Sequence, residues 1–125
     1  MSKHETWRTE KYWKTVGGKL IKEFYAICQS KENGKRIIDG LIILNEPNSI
    51  SKKHYEDVEG KDIVIIQTKG NRLGMYLMGQ AFFSREIMKR FKPKSIRTVA
   101  ICGKDDEEMR KLCEKFDIEV FVVEN

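Results

Sequence analysis

Two aliphatic runs, residues 36–44 and 62–70, dominate the pattern of apolar and polar positions along the chain. Each is short and rich in isoleucine, which predicts a strand. Each also carries polar residues in its interior or at its end: Asp39 in the first, Gln67 and Lys69 in the second. A carboxylate buried in such a strand is costly unless it is paired or bound to a metal.

The rest of the pattern fills in around these strands. Trp13, Val16, Leu20 and Phe24 recur at helical spacing and predict a helix from residue 5 to about residue 24. Gly17-Gly18 interrupts it, either for close approach to a sheet or as a break between two short helices. Residues 25–29 read as a first short strand. Asn33-Gly34 reads as a two-residue hairpin turn into the 36–44 strand. Residues 45–61 are polar and form a long loop. After the strand at 62–69 and a turn at 70–74, a helix is predicted over 74–91. Its apolar stripe is Tyr76, Phe83, Ile87 and Phe91, and Pro93 stops it. Residues 97–102 form a strand. Asp105 and Glu108 have capping-box spacing at the start of a last helix, whose buried face is Met109, Leu112, Cys113 and Phe116. Residues 118–123 form the last strand. Antiparallel strands in front and strand–helix alternation behind predict a mixed sheet with helices on both faces.

Composition narrows the picture. The 125 residues suffice for one domain with one core. Lys and Arg number 24 against 19 Asp and Glu, and the net charge of +5 favours a polyanionic partner. Cys28, Cys102 and Cys113 are too scattered for a disulfide framework or a zinc ribbon. They read as small core residues in a reducing cytoplasm. The N-terminus has no apolar signal region, and no apolar run approaches ~20 residues, so no membrane span is expected. His4 and His54 lie in polar segments, which argues against a histidine-based centre. Gly70 and Gly74 have neither P-loop nor Rossmann spacing, which argues against a nucleotide-binding domain.

Alternation puts Ile63, Ile65, Gln67 and Lys69 on one face of their strand, and Ile37, Asp39, Leu41 and Ile43 on one face of theirs. If the two strands are neighbours, Asp39 stands beside Gln67 or Lys69. Phosphodiester hydrolysis needs oxygen ligands for Mg²⁺ and a cation near the attacking water or the developing oxyanion. Asp39, the Gln67 carbonyl and a backbone carbonyl near Thr68 can supply the oxygens. Lys69 can supply the cation. The alternative is a buried Asp39–Lys69 ion pair with no catalytic role. Lys35, Arg36 and Arg72 flank this centre as candidate phosphate contacts. Gln80 is either near the site, as a further nucleic-acid contact, or a core glutamine satisfied by backbone.

Asp39, then Gln67-Thr68-Lys69, after an N-terminal helix, resembles the PD-(D/E)xK nuclease superfamily, which includes restriction endonucleases, Mrr-like enzymes and Holliday-junction resolvases. The resemblance implies a single domain over residues 1–125 with a restriction endonuclease-like α/β fold. That fold is a three-layer αβα with a mixed β-sheet, in the order αβββαβαβ. It implies Asp39 and Gln67 as ligands of Mg²⁺ or Mn²⁺ and Lys69 as the catalytic lysine. It adds Glu23 from the first helix as a further metal-binding and catalytic acid, with Glu10 as the alternative. Ile38 replaces the motif's proline. Gln67 replaces its acid, which removes a negative charge and weakens metal binding. The implied partner is DNA, with a homodimer as a further expectation. The chain is also similar to small bacterial proteins with Trp-x-x-Val-Gly-Gly, here residues 13–18, and Leu-Gly-Met-Tyr-Leu-Met-Gly-Gln, here residues 73–80, to which no activity attaches. Two functions are therefore expected: a Mg²⁺-dependent DNA endonuclease or resolvase, or a non-catalytic nucleic-acid-binding or assembly subunit of the same fold.

Overall fold

A computed structural model describes residues 3–124, with side chains from residue 6 onward, so the side chain of His4 lies outside the described residues. The strands are β1 (Lys19–Ile27), β2 (Arg36–Ile43), β3 (Ser49–Ile50), β4 (Asp62–Arg72), β5 (Ser95–Lys104) and β6 (Ile118–Val122). The helices are α1 (Lys3–Val16), α2 (Met75–Met88) and α3 (Glu107–Lys115), and a 3-10 turn at Lys89–Phe91 extends α2. All six strands join one sheet in the order β3-β1-β2-β4-β5-β6. β2 is antiparallel to both β1 and β4, whereas β4–β5, β5–β6 and the short β1–β3 pair are parallel. The expected mixed α/β sheet is present, with β3 added inside the long polar segment.

Side-chain alternation on β4 divides the core. Val64 and Ile66 pack with Tyr12 of α1, Leu20, Val99 and Ile101 on one face. Ile63 and Ile65 pack with Leu41, Ile43 and Met88 of α2 on the other. Cys113 of α3 joins Leu77 and Ala81 of α2 against Ala100 and Cys102, so α2 and α3 share that second face. Burial pushes the Cys113 thiol up to about 11 and raises that of Cys102 as well. Among the described residues no helix is long and apolar enough to cross a membrane.

Several sequence expectations are corrected. The first helix ends at Val16 instead of near residue 24, because Gly17 and Gly18 take φ of +75° and +92°. The Trp13 indole N–H donates to the Gly18 carbonyl at 2.8 Å, closing the helix. A Cβ on Gly18 would sit 2.6 Å from the Ile43 carbonyl oxygen, so these glycines serve both as helix break and as close approach to the sheet. Leu20 and Phe24, helically spaced, are core residues of β1. Asn33-Gly34 does not form a two-residue turn: the β1–β2 ladder closes at Ile27–Arg36, and residues 28–35 make a longer loop. On α2 the buried stripe is Leu77, Ala81, Ser84 and Met88, while Tyr76 and Phe83 are 71% and 65% exposed. The smaller residues keep the i, i+4, i+7, i+11 spacing that faces a sheet; the aromatic rings stand outside it. Strand β4 runs on through part of the expected turn, to Arg72. Asp106, not Asp105, caps α3 by accepting the Met109 N–H at 2.9 Å, and Asp105 pairs with Arg110. Leu112 and Phe116 are exposed, and so is Cys28, which lies just past β1.

Candidate functional site

The polar residues gather where β2 leaves β4. The two strands pair from Ile43–Ile63 to Gly40–Ile66, and the ladder stops there. The next β4 amide that would need a partner on that side is served by a side chain: Thr68 N–H donates to Asp39 Oδ2 at 2.9 Å. The carboxylate thus bridges the gap between the strands.

Across β2, the β1 ladder pairs Lys22 with Gly40 and Phe24 with Ile38, bracketing Glu23 and Asp39. Glu23 has φ of +52°. A non-glycine residue there costs about 1–2 kcal/mol. Both strands switch faces at this point. Ile21 and Phe24 share one core cluster, and so do Leu41 and Ile38. The expected run of Ile37, Asp39, Leu41 and Ile43 on one face therefore breaks at Asp39. Glu23 lies on β1, not on the first helix as expected. Glu10 does lie on α1, where it is ion-paired with Lys22.

Gln67 and Lys69 share a face, as alternation predicts, and both point toward α2. Gln67 is 5% exposed and donates its amide N–H to Ser84 Oγ at 2.7 Å. The Lys69 ammonium lies 5.2 Å from the centre of the Tyr76 ring. Among the described residues Lys69 makes no salt bridge to Asp39, so the ion-pair alternative is not realised. Thr68 is fully buried, and its hydroxyl is one of two buried side-chain polar atoms without a hydrogen-bond partner among the described residues.

Arg8 was not anticipated. It is 2% exposed on α1, its Nε donates to the Val123 carbonyl at 3.1 Å, and a Cβ on Gly70 would lie 3.2 Å from its Nη1. A buried cation therefore flanks the far half of β4. The polar N-terminal segment gives no hint of it, because burial of Arg8 depends on how α1 crosses the sheet.

The expected phosphate contacts spread around this centre. Lys35 and Arg36 are exposed at the start of β2. Arg72, at the end of β4, donates to the Asp105 carbonyl at 2.9 Å. Gln80 is half-buried and lines a cavity of about 660 Å³ between β2 and α2, together with Arg36, Gln67, Tyr76, Phe83 and Ser84. It is not a core glutamine. No group of three or more His, Cys, Asp or Glu suited to a metal occurs among the described residues. Fold and site together define an α/β protein with one mixed six-stranded sheet, its polar centre placed where two central strands part. Comparison with known protein families, curated proteins and solved structures gives no match.

Proposed function

We propose that this chain is a divalent-metal-dependent phosphodiesterase acting on DNA, with the restriction endonuclease-like arrangement of the PD-(D/E)xK superfamily. The observation that carries this reading is the Asp39 carboxylate held by the Thr68 N–H, between Gln67 and Lys69 on β4, with Glu23 opposite Asp39 in the β1–β2 ladder. Backbone strain at Glu23 and an orphaned Thr68 hydroxyl beside the bridging Asp39 support it, since both are costs that function can explain. Mg²⁺ or Mn²⁺ fits the donor set. Mg²⁺ keeps several waters and needs only one or two carboxylates, which Asp39 and Glu23 provide.

Asp39, Gln67 and Glu23 would hold such a cation, which would supply Lewis-acid polarisation of a phosphoryl oxygen and a more acidic water. The chain's own residues do the rest. The Thr68 N–H fixes the Asp39 carboxylate. The Ser84 hydrogen bond uses the Gln67 amide nitrogen, so the oxygen of that amide is the atom suited to a ligand role. Lys69, placed against Tyr76, orients the attacking water and stabilises the charge that develops on the phosphorus oxygens. Lys35 and Arg36 take backbone phosphates. A cytoplasmic setting agrees with three free cysteines.

The test is an assay of the purified protein on linear, branched and single-stranded DNA with Mg²⁺ or Mn²⁺, beside Lys69→Ala and Asp39→Asn. Metal-dependent cleavage that both substitutions abolish is expected. A second reading, a non-catalytic DNA-binding subunit, is favoured by the neutral Gln67, which brings a hard cation no charge. Wild-type protein that binds DNA in a salt-dependent way but cleaves no form of it would decide for that reading.

A further inference from the structure

We infer that the cavity between β2 and α2 receives one unpaired nucleobase, so that the substrate is single-stranded, frayed or branched DNA. The inference rests on the DNA-directed reading above and adds a substrate class to it. The cavity volume of about 660 Å³ falls within the range of roughly 300–1,000 Å³ usual for small-molecule sites. Its lining is specific in chemistry. Tyr76 and Phe83 present rings that the fold leaves 71% and 65% exposed. Exposed aromatic faces beside cations are how proteins hold single-stranded nucleic acid, because every base has a π face to stack. Behind the rings lie two amides, Gln67 and Gln80. The Gln80 amide both donates and accepts, which matches a base edge, whereas the Gln67 nitrogen already donates to Ser84. Two cations belong to this surface: Arg36 lines the cavity, and Lys69 lies against the Tyr76 ring. A phosphate next to an inserted base can therefore meet positive charge.

Other occupants match less of this lining. An apolar peptide would leave both amides and both cations unanswered. A base still stacked in a duplex cannot enter the cavity unless it is drawn out, which costs unstacking energy that an unpaired base does not incur. Gln67 belongs to both the cavity and the proposed cleavage centre, so an inserted base would set an adjacent phosphate next to Lys69.

Fluorescence anisotropy in EDTA, where no cleavage occurs, tests this with a labelled single-stranded oligodeoxynucleotide. The competitors are the same strand with an abasic site, its duplex, and the free mononucleotide. Phe83→Ala is the main variant because the ring is exposed and its loss spares the core; its melting temperature should match wild type. An abasic site or Phe83→Ala is expected to weaken single-strand binding by about 10-fold, with duplex binding changed less than about twofold. Equal affinity for intact and abasic strands, or an equal loss on duplex, overturns the cavity's role while leaving the proposed DNA activity standing. A mononucleotide that binds as tightly as the strand assigns the cavity to a free nucleotide and overturns the substrate class. A dimer that dissociates in Phe83→Ala without a change in strand affinity assigns the surface to a second copy and also overturns it. Absence of binding to every DNA overturns both this inference and the function above.

Discussion

The two halves of β4 differ in every respect that matters. Residues Ile63 to Ile66 are paired on both edges, by β2 and β5, and none exceeds 1% exposure. From Gln67 onward the strand keeps only β5, and its residues turn polar. The loss of one neighbour changes what the strand can do. A strand paired on both sides has no backbone donor left to offer. Where β2 departs, the Thr68 N–H takes up the Asp39 carboxylate, and Gln67 and Lys69 find α2. The aliphatic half supplies the burial, and the polar half carries the contacts to Asp39 and α2.

The largest expected effect tests the aliphatic half. Ile65→Ala removes a side chain that is 1% exposed at the centre of the sheet. It should destabilise the protein by about 2–5 kcal/mol, read as a shift of the denaturant midpoint at unchanged slope. Cleavage per folded molecule should stay near the wild-type rate. An equal fall in stability and in specific activity would mean that the two halves do not divide the work.

Lys69→Ala should do the reverse. The ammonium rests on the Tyr76 ring, a contact worth about 0.5–1 kcal/mol at an exposed site, so melting should change little. DNA cleavage should fall by at least ~10²-fold, as for other preorganised electrostatic groups. A variant that still cleaves removes Lys69 from the mechanism.

Asp39→Asn probes the joint between the halves. Its amide oxygen can still accept the Thr68 N–H, so the bridge persists while the charge is lost. Calorimetric titration with Mn²⁺ should show binding by the wild type and at least a ~10-fold weaker response from the variant, because hard cations draw on carboxylate charge. Equal binding would refute the assignment of Asp39.

How far the sequence revealed this division depends on the kind of signal. The two aliphatic runs were legible because a strand buried on both faces must be nearly all apolar; their adjacency stayed a condition, because the long polar segment 45–61 separates them. Asp39, Gln67 and Lys69 were legible because each breaks such a run. Glu23 was named, but on the wrong element: Leu20 and Phe24 keep helical spacing by coincidence, and only the positive φ at Gly17 and Gly18 turns the chain into β1. The reversal of faces at Glu23 and Asp39 was illegible, since period-two alternation assumes regular strands. The outward rings of Tyr76 and Phe83 were misread as core because aromatic residues dominate a hydrophobicity pattern even when the smaller Leu77, Ala81 and Met88 make the packed stripe. Burial of Arg8 left no pattern at all. It comes from tertiary placement over Gly70.

The smallest expected effect sharpens the comparison most. Glu23, on β1 across β2 from the polar half, takes a left-handed conformation, φ +52°. Glycine adopts that conformation without the Cβ clash, which should recover about 1–2 kcal/mol. Glycine also loses more chain entropy on folding, at a cost of about 0.5–1 kcal/mol, and the contacts of the glutamate side chain are lost as well. Glu23→Gly should therefore leave stability within about 0.5 kcal/mol of wild type, while Mn²⁺ binding weakens because a carboxylate is gone. Glu23→Gln separates the two effects: it keeps the strained backbone and a side chain of the same length but removes the charge. If Gly and Gln weaken Mn²⁺ binding alike, the carboxylate charge is what the metal draws on, whatever the backbone strain. If Glu23→Gln binds Mn²⁺ as tightly as wild type, the acid has no claim on a metal, and a loss above about 2 kcal/mol in Glu23→Gly then shows that the turn is held by the contacts of the side chain.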